Sequence, residues 1–217
     1  MISIIDYDAG NIKSVEKAVQ FLGRECVTTR DRDVILQSDH VILPGVGAFG
    51  DAMDRLREYG LVDVIKEVCD KGIPFIGICL GLQLLFERSE EAPGVPGLGI
   101  LKGMIRRFPE DITDSGRNGE YSEGSSFDRL KIPNIGWSSL SLHGDGRLFK
   151  GIADESFVYF VHSYYLDAAD KDIVKATIDY GVRVDASIES GSIFACQFHP
   201  EKSSETGLKI LENFLNV

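Results

Sequence analysis

Residues 74–87 read PFIGICLGLQLLFE. Phe75 to Ile78 form a continuous apolar run, the pattern of a strand buried on both faces. Cys79 stands at the corner, and a helix follows that opens Leu-Gly-Leu-Gln. The same alternation continues toward the N-terminus. Ile2 to Ile5 read as a first strand, followed by the turn-rich DYDAGN. Ile12, Val15, Ala18, Val19 and Leu22 then recur at helical spacing, with Gly23 as a stop. Residues 26–29 give a second strand and HVILPG a third that ends at Pro44. A helix is expected over 51–57. A second stripe, Leu61, Val64, Ile65 and Val68, closes at Gly72. Strands alternating with helices predict right-handed crossovers and an open, three-layer α/β fold: a mostly parallel sheet with helices on both faces.

Beyond residue 100 the pattern changes. Short strands are expected over 101–106, 135–140, 157–161, 173–178, 186–189 and 193–198, separated by turns, so an antiparallel extension of the sheet is predicted. Ser203 or Ser204 is expected to cap a last helix carrying Leu208, Leu211, Phe214 and Leu215. Residues 111–128 are rich in Gly, Ser and Asp and read as a mobile surface insertion. Neither a repeat nor a dividing linker appears, and one domain over 1–217 is predicted.

Composition narrows the function. Apolar residues make up 43% and charged residues 26%, enough for a core without disulfides. A net charge of −11 with no basic block argues against nucleic acid and anionic membrane as partners. The longest apolar stretch, 73–86, is too short to span a bilayer and is broken by Gly77, Gly81 and Gln83. The N-terminus has no secretory pattern. Cys26, Cys69, Cys79 and Cys196 lack the paired spacing of a metal site, so no metal is expected and a reducing cytoplasm fits best.

Chemistry centres on Cys79. Ligands of such sheets bind beyond the C-terminal strand ends. A thiol there meets the unpaired N–H groups and positive dipole end of the next helix, which favour thiolate. A buried structural thiol fits the local pattern equally well. The pattern ACQFHPEKS breaks the tie. The residue before a proline is pushed toward extended backbone, so Glu201 can lie beside the ring of His199 and fix one nitrogen as N–H. The other nitrogen is then free to take a thiol proton. Backbone N–H groups of Leu80 and of Val46 or Gly47, in PGVGAF, could together hold an oxyanion. Cys26, Cys69 and Cys196 read as packing residues. His40 and His143 have no candidate partner, and His162 reads as a hydrogen-bonded histidine near the same edge.

GICLGLQLLFE together with QFHPEKS resembles the class I glutamine amidotransferases, over nearly the whole chain except 111–128. Within that class, IIDYDAGNIKSV, ILPGVGAFGDAM and FERSEEAPGVPGLGIL are similar to the glutaminase subunits of imidazole glycerol phosphate synthases. The resemblance implies a flavodoxin-like sheet and hydrolysis of L-glutamine by Cys79, His199 and Glu201, with no cofactor. It implies substrate contacts at Gly47, Gln83, Ser163 and Tyr164. It also implies a heterodimer with a (β/α)-barrel cyclase subunit that receives the ammonia. Asn11, Trp137 and Lys202 are the candidates for that interface, and Trp137 fits a core aromatic equally well. Asp8, Asn134 and Ser138 depart from the family pattern, which is expected to place glycine, histidine and asparagine there. Another glutaminase of the class, a thiol peptidase and a non-catalytic redox or interaction module are the competing readings.

Overall fold

The computed structural model describes residues 1–113 and 129–217. Its centre is an eight-stranded sheet. The parallel half holds β1 (Ile2–Ile5), β2 (Cys26–Thr29), β3 (His40–Leu43) and β4 (Phe75–Ile78). Between them run α1 (Ile12–Phe21), α2 (Arg32–Leu36), α3 (Phe49–Glu58) and α4 (Leu61–Asp70). Helix α5 (Leu80–Leu84) and the short strands β5 (Arg88–Ser89) and β6 (Gly103–Arg107) follow. Then come β7 (Asn134–Ser139), β8 (Ser141–Leu142), β9 (Phe157–His162), β10 (Tyr164–Ala168), β11 (Val174–Asp179), β12 (Arg183–Ser190), β13 (Ile193–Cys196) and α6 (Ser204–Phe214).

The strand order is β2-β1-β3-β4-β13-β12-β11-β8. Neighbours from β2 to β13 are parallel, and β12, β11 and β8 extend the sheet antiparallel, as expected for 173–178 and 186–189. Against expectation, β13 lies parallel beside β4, and β6, β7 and β9 pair outside this sheet. Two apolar clusters cover the faces. Val15, Val19, Ile210 and Phe214 bring α1 and α6 onto one. Ile35, Met53, Leu56 and Ile65 bring α2, α3 and α4 onto the other. The chain therefore changes face between the crossover after β1 and the one after β2. A crevice opens at such a switch point, beyond the strand ends.

The helix α2, unforeseen from the sequence, is five residues long, too short for periodicity to reveal. Its signal is local: the Asp31 carboxylate accepts from the N–H groups of Asp33 and Val34. Strand β10 was hidden because only Ser163 separates it from β9. The chain changes partner there, β9 pairing with β7 and β10 with β6. Ser203 does stand at the start of α6, but its hydroxyl does not cap the helix. It donates to the His199 carbonyl at 2.6 Å and accepts the Tyr159 N–H at 2.9 Å. Part of the expected surface insertion, 111–128, falls on described residues. Ile112 is buried and Thr113 bridges Arg129, so the chain is still packed there. Residues 114–128 lie outside the described residues.

Candidate active site

Cys79 follows β4 directly and opens α5 with φ 54° and ψ −107°, a strained corner for a non-glycine residue. Close backbone packing holds it. A Cβ on Gly81 would lie 2.0 Å from the Leu43 carbonyl oxygen, and one on Gly77 would lie 2.5 Å from that of Gly81. Both positions thus require glycine, which lets α5 press against β3 and β4. The Cys79 N–H continues the β4–β13 ladder by donating to the Cys196 carbonyl at 2.8 Å. The thiol is thereby carried to the place where β13 delivers His199.

The histidine side is equally fixed. The His199 N–H donates to the Tyr159 carbonyl at 2.9 Å, and the Ser203 hydroxyl holds its carbonyl. Nδ1 of the buried ring lies 2.7 Å from the Glu201 Oε1. The backbone route differs from expectation. His199 is extended, but Pro200–Lys202 form a 3₁₀ turn rather than an extended segment. The turn, not strand parity, brings the carboxylate under the ring. Glu201 Oε1 also accepts from Asn11 Nδ2 at 2.6 Å. With Nδ1 committed to the carboxylate, Nε2 has no hydrogen-bond partner among the described residues and is the free nitrogen. Burial works against a charge on this ring, but the nearby Cys79 thiol and Glu201 carboxylate outweigh it and raise the His199 pKa to about 9.

A cleft of about 300 Å³ opens over Cys79. Val46, Gly47, Leu80, Gln83, Ser163 and Tyr164 line it, all expected from the sequence, together with Glu91 and His162. Gln83 Nε2 donates to the Tyr164 carbonyl at 3.1 Å and to Gln197 Oε1 at 3.0 Å. The buried His162 ring lies between Asn134, 3.3 Å from Nε2, and the Tyr164 carbonyl, 2.9 Å from Nδ1. Burial holds its pKa down at about 4, so the ring is neutral. Glu91 Oε2 accepts the Phe49 N–H at the start of α3.

The expected oxyanion pair is not assembled. The Leu80 N–H donates to the Gly45 carbonyl at 3.3 Å. Asn11 reaches the Glu201 carboxylate, while Lys202 is exposed. Trp137 is half exposed, so a core role for it is excluded. His143, which had no candidate partner in sequence, lies 2.7 Å from the Thr177 hydroxyl. The His40 ring meets Phe214 edge-on. Burial pushes the Cys69 thiol up to about 12 and raises those of Cys26 and Cys196, so these stay protonated. Glu91 and Gln197 were missed. Glu91 carries no local signal. Gln197 carries one: a polar residue ending an apolar strand, two positions before His199.

The class I glutamine amidotransferase family matches residues 3–217, and the chain belongs to that family. Among its relatives, the imidazole glycerol phosphate synthase subunit HisH of Bacillus cereus (strain G9842) is 50% identical, covering 100% of this chain and 95% of that one. The HisH subunit of Bacillus mycoides (strain KBAB4) is 47% identical with the same coverage. The fold is that of a solved glutamine amidotransferase, with a TM-score of 0.71 at 18% identity, covering 99% of this chain and 97% of that one. It is also similar to PurLQS from Thermotoga maritima, with a TM-score of 0.68 at 21% identity and the same coverage.

Proposed function

We propose that this chain is the glutaminase subunit of an imidazole glycerol phosphate synthase, acting in histidine biosynthesis in the cytoplasm. The carrying observation is that Cys79, His199 and Glu201 converge on one strand-end cleft in a chain 50% identical over its length to a HisH subunit. His199 Nε2 takes the thiol proton, and Sγ attacks the side-chain carbonyl carbon of L-glutamine. The imidazolium then protonates the leaving nitrogen, and ammonia departs from a thioester. Water, deprotonated by His199, opens the thioester and releases glutamate with the thiol restored. Glu201 holds the ring in the orientation that both proton transfers need.

The cleft fits an amino acid at its other end. Glu91 is the acidic side chain of the lining and offers a carboxylate to the substrate α-ammonium. The Gly47 backbone and the Ser163–Tyr164 strap flank the same space, and Gln83 leaves Oε1 open to a donor. Because the Gly45 carbonyl occupies the Leu80 N–H, that carbonyl must turn away before Leu80 can hold an oxyanion with Val46.

Ammonia escaping to water at neutral pH would become ammonium and lose its nucleophilicity. We therefore place a (β/α)-barrel cyclase subunit over the same sheet edge. The β7–β9 ribbon presents Ile135, Trp137 and Phe157 there, each at least 50% exposed, with Tyr159 edge-on to Trp137. Asn11 and Lys202 flank it. An apolar face with an aromatic centre suits a stable subunit contact. Glutamine hydrolysis measured with and without the barrel subunit tests the reading. Activity that depends on Cys79 and rises with the barrel subunit is expected; activity persisting in Cys79→Ala would overturn it.

A further inference from the structure

We propose that Gln197 is a catalytic residue whose carboxamide N–H donates to the Cys79 sulfur and favours its thiolate. Gln197 is completely buried, and its Nε2 lies 3.7 Å from Sγ, within reach of a hydrogen bond to sulfur. The amide orientation follows from its neighbours. Gln83 Nε2 spends both N–H groups on acceptors, the Tyr164 carbonyl and Gln197 Oε1. A flipped Gln197 would set NH₂ against NH₂ on one side and oxygen against sulfur on the other. The oxygen must therefore face Gln83 and the NH₂ must face Cys79. Tyr164 is fixed in turn, because His162 Nδ1 carries its proton toward the same carbonyl and Asn134 donates to Nε2. The Tyr164 carbonyl thus accepts from both His162 and Gln83, and two successive donors, Gln83 and Gln197, lead from it to the sulfur.

The chemical consequence is an asymmetry between two states of the thiol. When Sγ gives its proton to His199 Nε2, negative charge develops on sulfur. A donor already aimed at it gains strength, because hydrogen bonds to ionised acceptors exceed neutral ones.

The inference rests on Cys79 being the nucleophile, but its test does not pass through glutamine. The rate of Cys79 alkylation by iodoacetamide is followed against pH, with Cys79 resolved by peptide mass, in the full chain and in Gln197→Met. The midpoint should move up by roughly one to two pH units. Gln83→Met, which frees the Gln197 amide to turn, should move it in the same direction by less. The KM for glutamine should change little in Gln197→Met while kcat falls. An unchanged alkylation midpoint in folded Gln197→Met overturns the proposal; if that variant does not fold, an unchanged midpoint in Gln83→Met does so. Glutaminase activity surviving in Cys79→Ala would instead overturn the functional reading and leave the alkylation result standing.

Discussion

The cleft around Cys79 and the β7–β9 ribbon lie in one small chain but are built in opposite ways. In the cleft, the reactive groups are buried and almost every polar atom is committed. The thiol sits on a strained corner, His199 is held through its ring and both backbone groups, and Gln83 spends both amide protons. On the ribbon, large apolar side chains face outward: Ile135 at 60%, Trp137 at 50% and Phe157 at 51% exposure. The first region is held by internal contacts, apart from the Leu80 N–H that Gly45 occupies; the second is where the proposed docking would add contacts from outside. A residue in the cleft should therefore act on chemistry with little effect on association, and a residue on the ribbon the reverse.

The largest test of that division is Cys79→Ala. Glutamine hydrolysis should fall on the order of 10⁴-fold or more, because members of a unit that acts together fail together. Affinity for the barrel subunit, measured by calorimetry, should stay the same. His199→Ala should be as severe and Glu201→Gln milder, since the carboxylate orients rather than transfers. A catalytic residue whose loss also abolished binding would merge the two regions.

Trp137→Ala probes the other side. Truncating an aromatic at the centre of an interface costs about 2 kcal/mol, or roughly 30-fold in Kd. The lone subunit should keep its melting temperature, because half of the indole is already in water. With a partner lacking tryptophan, docking should shift the Trp137 emission. Unchanged emission and unchanged affinity would move the docking face elsewhere.

The histidines of the cleft give a subtler signature, in stability against pH. His199 is raised from 6.5 to about 9, so the folded chain holds a proton that the unfolded chain has lost. Its contribution is fully present below pH 6.5 and disappears as pH rises toward 9. His162 is lowered to about 4, so between there and 6.5 the unfolded chain binds the extra proton. Stability from this ring therefore rises with pH across that window. Thermal unfolding should lose its alkaline slope in His199→Gln and part of its acid slope in His162→Gln. Equal slopes in parent and variants would mean that neither ring is held as the geometry requires.

These two regions were unequally legible in the sequence. β1 to β4, α4 and the Cys79 corner follow from continuous apolar runs, helical stripes and glycines, which are local signals. The pairing of Cys79 with His199 was read from two strand-end motifs and the family resemblance. The parallel placement of β13 beside β4 that brings them together was not, because 193–198 read as part of an antiparallel extension. The Glu201 contact was foreseen for an incomplete reason: a 3₁₀ turn replaces the extended segment. Glu91 and the capture of the Leu80 N–H by Gly45 were not readable, because each depends on how distant loops meet. Asn11 was expected at the interface from the DYDAGN loop; that its side chain donates to the Glu201 carboxylate depends on a contact across the fold.

The smallest effect is expected where neither region reaches. Thr113 and Arg129 form an antiparallel bridge, so the chain enters and leaves 114–128 at adjacent points. Bridged residues stand about 5 Å apart, a gap that a two-residue turn closes. Replacing 114–128 by Asn-Gly should therefore preserve the bridge. The cost of closing a flexible loop changes by only about 0.6 kcal/mol for each doubling of its length, so the melting temperature should move little. A wider cut, from 110 to 129, should behave differently. It removes Ile112, which is 4% exposed and packs in the core beside Phe108 and Tyr180, and such a loss costs about 2–5 kcal/mol. Paired melting curves of the two deletions would separate the contribution of 114–128 from that of the packed residues beside it. If the narrow deletion kept glutaminase activity but lost the barrel subunit, the docking surface would have to extend from the β7–β9 ribbon to include 114–128.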